Sequence, residues 1–185
     1  AWLNLQWLYD LVLYGLWQIG GANLLVLSAV AAYTGAIALL MGTLRRWVGP
    51  VTAAGLAAWA LIGTEERFLI RPEMFSFLFL GVMLRLLLDA TESSPRRLLG
   101  LPLVVLLWVN THSLFVIGLF CIACTVAGAV GGAYWRRVTG APGGGRARVL
   151  PLLVCAAACG VAAFLNPYFA RGVFFPLELL TRIDG

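Results

Sequence analysis

Residues 65–73, EERFLIRPE, set three glutamates and two arginines around a short apolar insert. Guanidinium groups grip phosphate through paired, charge-assisted hydrogen bonds, so Arg67 and Arg71 are candidate phosphate ligands. Glu65 and Glu66 beside them are candidates for a general base or for ligands of a divalent metal ion. Asp10 joins them as a third candidate acid. The same loop also fits a solvated set of mutual ion pairs, each contributing about 0–1 kcal/mol.

A second cluster, WVNTHSLF at 108–115, stands inside a run from Leu98 to Trp135 that holds no Asp, Glu, Lys or Arg. His112 is the only histidine in the chain. Asn110 and His112 are two residues apart, so they would face different ways on one helix, whereas a turn lets both enter a shared cavity. Buried polar side chains are costly unless paired or wetted. Two readings stay open: a pair that orients a ligand, or a boundary turn in which Asn110 caps the helix starting at 114. A third cluster, NPYF at 166–169, is explained as a helix stop by Asn166-Pro167. Tyr168, at a membrane-interface position, and Arg171 remain candidate binding residues.

The elements that must position these groups are strongly apolar. Hydrophobic residues make up 62% of the 185, charged residues 11%, and mean hydropathy is +0.94. Soluble domains carry about one quarter charged residues, so this composition belongs in a bilayer. The formal charge of +5 comes from 13 arginines without a lysine. They fall in pairs between apolar segments, which is a membrane-topology pattern and argues against nucleic acid as a partner. Cys121 and Cys124, like Cys155 and Cys159, are surrounded by aliphatic residues. They read as small residues at helix contacts, not as a zinc site.

A span of about 30 Å of hydrocarbon takes about 20 apolar residues. The 34 uncharged residues between Asp10 and Arg45 are too many for one span, and Gly20-Gly21 divide them. We expect an aromatic-rich helix over 4–18 lying along the interface. Apolar segments follow at 21–45, 51–64, from Pro72 to Leu88, 99–109, 114–135 and 149–165, then a final amphipathic stretch. The expected fold is all-α: a polytopic transmembrane helix bundle with an interfacial N-terminal helix and short external loops. It forms one membrane domain over 1–185 that reads as a piece of a longer protein. One set of loops holds eight arginines (45, 46, 96, 97, 136, 137, 146, 148) against two acids, and the alternate set holds four arginines against six acids. The positive-inside rule makes the first set cytoplasmic and puts EERFLIRPE, WVNTH and NPYF outside.

WLNLQWLYDLVLYGLWQIGG, RFLIRPEMFSFLFL, LPLVVLLWVNTHSLFVIGL and LNPYFARGVFFPLELL occur in this order. The series resembles a widespread group of bacterial membrane proteins similar to polyprenyl-phosphate-dependent glycosyltransferases of the C-type membrane fold. The resemblance covers almost the whole chain. It implies a multi-pass protein of the bacterial cytoplasmic (inner) membrane, working at the outer face between spans. Its partners would be membrane lipids and a polyprenyl-phosphate sugar donor. On this resemblance Asp10, Glu65, Glu66 and His112 are the candidate catalytic groups, and Arg67, Arg71, Asn110, Tyr168 and Arg171 the substrate-binding ones. No cofactor is specified, a divalent metal being the one left open. Gln6 stands where the family often has an acid and Glu73 where it often has His, which leaves the identity of the base open. The alternative is a non-catalytic membrane subunit or scaffold that binds a partner protein or lipid. A transporter fits less well, because nearly all charges fall at span ends and not at the midplane.

Overall fold

The computed structural model describes residues 3–92, 94–140 and 146–183, and every regular element among them is helical. The helices are α1 (Trp7–Leu44), α2 (Pro50–Gly63), α3 (Glu73–Glu92), α4 (Leu101–Val109), α5 (Phe115–Thr139), α6 (Arg146–Phe164) and α7 (Ala170–Ile183). Short 3₁₀ turns at Glu65–Arg67 and Pro95–Gly100 lead into α3 and α4. Two helices, Trp7–Leu44 and Phe115–Thr139, are long and apolar enough to cross a membrane, while Pro50–Gly63 and Val149–Phe164 are shorter apolar helices.

The break expected at Gly20-Gly21 is present. Gly21 has φ 57° and ψ −149°, a conformation open to glycine and closed to residues with a Cβ. Its consequence was not expected. Tyr9 and Tyr33 share one buried cluster with Met74, yet a straight helix would hold residues 24 apart at about 36 Å. The limb 7–20 therefore doubles back along the adjoining half of the limb 22–44, where a helix lying across it along the interface was expected. It begins at Trp7, three residues later than the expected 4–18 helix. Its outward side chains are mostly apolar, with Leu11, Tyr14, Trp17 and Ile19 exposed beside Asp10 and Gln18.

The limb 22–44 packs lengthwise on α3. Gly35 lies against Leu78 and Gly81 against Leu39, small residues that let the two backbones approach. The charges sort to the two ends of α3. At one end Asp89 accepts from Arg46 and lies 3.4 Å from Arg85 Nε, while Arg85 also donates to the Gly42 carbonyl at 3.2 Å. At the other end Glu73 pairs with Arg67 at 3.1 Å. Sixteen residues of helix, about 24 Å, separate them. α3 runs past the expected Leu88 to Glu92, with Asp89 held by Arg46.

α4, α5 and α6 form the main core with the middle of α3. Met83, Leu101, Val105, Trp108, Phe115 and Cys159 are buried there. Gly118 of α5 faces Trp108 so closely that a Cβ would stand 2.6 Å from the indole. Cys155 donates to the Leu98 carbonyl at 3.3 Å and sits 4.0 Å from Cys159, inside a helix contact as expected. α5 runs to Thr139, past the expected 135, since Arg136 and Arg137 suit the negative end of a helix dipole. α6 ends at Phe164, and two residues on stands Asn166, whose amide donates to the carbonyls of Ala163 and Phe169 and whose Oδ1 accepts from the Tyr168 N–H. That clamp holds Phe169 at φ 48°, the one non-glycine residue with positive φ among those described.

Candidate functional site

The first turn of α3 is where the polar residues gather. The preceding loop is tied down by Tyr33 of α1, whose hydroxyl faces the carbonyls of Arg67 at 2.6 Å and Leu69 at 2.9 Å. This places Arg67 beside Glu73, with Nη1 donating to Oε1 at 3.1 Å. The second oxygen of Glu73, Oε2, is buried without a partner, and so is the Tyr9 hydroxyl. A buried polar atom left unpaired is uncommon and asks for an explanation. The Arg71 guanidinium is exposed and makes no hydrogen bond or ion pair among the described residues.

One turn further along α3, Ser76 links this end to the WVNTH segment. Trp108 Nε1 donates to Ser76 Oγ at 2.9 Å, and Ser76 Oγ lies 2.9 Å from His112 Nδ1. His112 is 8% exposed, and burial holds its imidazole pKa below the ordinary 6.5, opposed by the nearby Glu73 carboxylate. A neutral ring is the state that burial favours. Asn110 does not cap the next helix, which starts after Leu114 without a side-chain cap. Instead its amide donates to the carbonyls of Leu106 at 2.8 Å and Leu165 at 3.0 Å, and its Oδ1 accepts from Trp7 Nε1 at 2.9 Å. The Asn110 carbonyl also accepts the Leu8 N–H. Both amide hydrogens and the oxygen are engaged, so Asn110 is a structural tie from α4 to α1 and to the end of α6 and has no free side-chain donor to offer a ligand.

No family model, curated protein or solved structure matches this chain. What the site can do therefore rests on its own geometry.

The candidates divide into two groups. Arg67, Arg71 and His112 fall at the Glu73 end of α3, as does the side chain of Glu73 itself. Asp10 is exposed on α1 and accepts from Asn4 Nδ2 at 3.0 Å. Glu65 and Glu66 are exposed on the 3₁₀ turn, and their carboxylates make no contact with the others. Among the described residues no three His, Cys, Asp or Glu side chains converge. Tyr168 and Arg171 lie in and just after the α6–α7 turn, near Asn110 through the Leu165 carbonyl, without a side-chain bond to the cluster. Sequence reasoning passed over Glu73 as a ligand and missed Ser76, Tyr9 and Tyr33. Ser76 had one visible signal: it is the only hydroxyl in the apolar stretch from Met74 to Leu84.

Beside this end runs an apolar groove. One part, of about 200 Å³, lies between the limb 22–44, α2 and α3, with Tyr33, Leu40, Ala57, Phe68 and Leu84 in its walls. A second hollow, lined by Val26, Val30 and Ile70, shares Tyr33 and Phe68 with the first. Tyr33 thus borders the groove with its ring and holds the Arg67 loop with its hydroxyl. An anionic headgroup and an apolar tail could be met by neighbouring parts of one surface.

Proposed function

We propose that this chain is a multi-pass membrane protein of the bacterial inner membrane that handles a lipid phosphate at its outer face, as a glycosyltransferase-like enzyme taking sugar from a polyprenyl-phosphate donor. The observation that carries the reading is the junction at Tyr33: an apolar groove beside Arg67, the unpaired Arg71 and the half-used carboxylate of Glu73. Arginine recognises phosphate by directed hydrogen bonds, and a groove free of charge accepts a hydrocarbon chain. Arg71 holds the phosphate, with Arg67 assisting from its pair with Glu73. Glu73, whose buried Oε2 is unpaired, is better placed than Asp10, Glu65 or Glu66 to accept a proton from an acceptor hydroxyl bound in the site.

The membrane frame is supported by what the surface exposes. Trp47, Tyr134 and Trp135 are exposed next to the arginine pairs 45–46 and 136–137. Aromatic belts beside cytoplasmic arginines mark a headgroup boundary. With that boundary at the Asp89 end of α3, the Glu73 end faces outward.

A second reading is favoured by one feature. Asp10, Glu65 and Glu66 are solvent-exposed and do not converge, which suits a lipid-binding subunit without catalysis of its own. Retention of a polyprenyl phosphate, followed by native mass spectrometry of the protein released from micelles, tests the shared part of both readings. Arg71→Ala should lower retention about tenfold, the loss of one charged hydrogen bond, while Arg96→Ala at the opposite end should not. Equal effects of the two substitutions refute lipid-phosphate binding at this site. Glu73→Gln that abolishes sugar transfer while retaining the lipid favours the enzyme, and retention by wild type without transfer favours the subunit.

A further inference from the structure

His112 ends a chain of three polar side chains. The Trp108 indole donates to Ser76 Oγ at 2.9 Å, and Ser76 Oγ lies 2.9 Å from His112 Nδ1. All three residues are buried, Trp108 at 1%, Ser76 at 4% and His112 at 8% exposure. An indole nitrogen only donates, a hydroxyl carries one hydrogen, and a neutral imidazole has one donor and one acceptor nitrogen. With Trp108 on one lone pair of the serine, the serine hydrogen has a single acceptor among the described residues, Nδ1. A protonated Nδ1 would make the serine oxygen accept twice and strand its own hydrogen in the interior, an arrangement that folded proteins rarely keep.

We propose that Ser76 is a positioning residue that holds His112 as the Nε2–H tautomer, so that the imidazole enters the site as a hydrogen-bond donor and not as a base. Nε2 has no partner among the described residues. The Glu73 carboxylate is close enough to act on the ring electrostatically, and its Oε2 is also unpartnered. Donor and acceptor of this kind suit a ligand hydroxyl, which can accept from Nε2–H while donating to Glu73. The assignment rests on the reading of this end as a ligand site for its use. The tautomer itself is a property of the protein without ligand.

The sole histidine makes the test direct. In the 185-residue chain carrying ¹⁵N-histidine in micelles, at a pH above the imidazole titration, two ring-nitrogen resonances belong to His112 alone. The expected spectrum has Nδ1 unprotonated and Nε2 carrying hydrogen, with this tautomer in about tenfold excess or more. Ser76→Thr keeps the hydroxyl and should keep the spectrum, whereas Ser76→Ala should move Nδ1 toward the protonated range. Protonated Nδ1 in the wild type overturns the proposal, as does an unchanged Nδ1 resonance in folded Ser76→Ala. If Ser76→Ala does not fold, the wild-type and Ser76→Thr spectra decide. An Nε2–H wild type that retains no lipid phosphate overturns the functional reading alone, and the reverse pattern overturns the tautomer alone.

Discussion

Replacing Asn110 with alanine removes three side-chain hydrogen bonds, to Leu106, Leu165 and Trp7. Interhelical side-chain bonds in membrane proteins average about 0.6 kcal/mol, and counting the bond within α4 at the same figure gives roughly 2 kcal/mol for the three. Buried groups left without partners raise the figure toward about 4 kcal/mol. The Trp7 indole is partly exposed and can turn to solvent, so the lower half of that range is expected. For a chain of this size it corresponds to a fall in Tm of about 5–10 °C, measured in detergent by tryptophan fluorescence. The loss should also be local. Trp7 and Leu8 anchor the limb 7–20 to α4 through Asn110, so protease cleavage should rise first in that limb and not in α5. A cycle combining Trp7→Phe with Asn110→Ala should show coupling of about 0.5–1 kcal/mol. An Asn110→Ala protein within about 0.5 kcal/mol of wild type, with its first limb still protected, would refute the tie.

Four further outcomes follow from other parts of the fold. His112 is the only imidazole, and burial keeps its pKa below 6.5. The unfolded chain takes up a proton first as the pH falls, so stability should be full above 6.5 and decline below it, and His112→Gln should lose that component between about pH 7 and 5.5. Gly118→Ala places a Cβ 2.6 Å from Trp108 and 2.9 Å from Met83; with Trp108 tethered to Ser76, thermal unfolding should show a loss of about 1–3 kcal/mol. Phe169→Gly relieves a positive φ at an exposed position and should stabilise by up to about 1 kcal/mol in the same assay. Single cysteines at Ser94 and Glu66, in a protein lacking the native four, should react with impermeant reagent from opposite sides of the membrane; labelling from one side sinks the outward placement of the Glu73 end.

Much of the helix layout was legible because glycine, proline and charge punctuate an apolar text. Gly21 breaks α1 where the doublet stands, and Pro50 opens α2 one residue from the expected start. The charges at 46 and 89 fall at one end of α3 and those at 67 and 73 at the other, as their spacing implied. What the pattern could not supply was direction. Gly21 says that the chain turns, but the return of 7–20 along 22–44 depends on Tyr9 meeting Met74 and Phe75, a contact between residues some 65 apart. Asn110 and His112 were likewise visible as polar residues in an apolar run, while their partners Trp7, Ser76 and Leu165 come from three other helices or turns. Two equally polar side chains thus have different fates, one consumed in structure and one left with a free nitrogen, and only packing separates them.

The tie at Asn110 also bears on how the chain is made. Its partners lie 103 residues earlier, at Trp7, and 55 residues later, at Leu165. During synthesis from the N-terminus the first limb emerges well before α4, and α4 well before the end of α6. Asn110 can then serve Leu106 and Trp7 at once, yet its second amide hydrogen has no acceptor until Leu165 arrives. The knot therefore reports completion: it is filled only when the early hairpin and the late helix are both in place. A ribosome-stalled series should show the first limb becoming protected in two steps, first as α4 is released and again as Leu165 clears the exit tunnel.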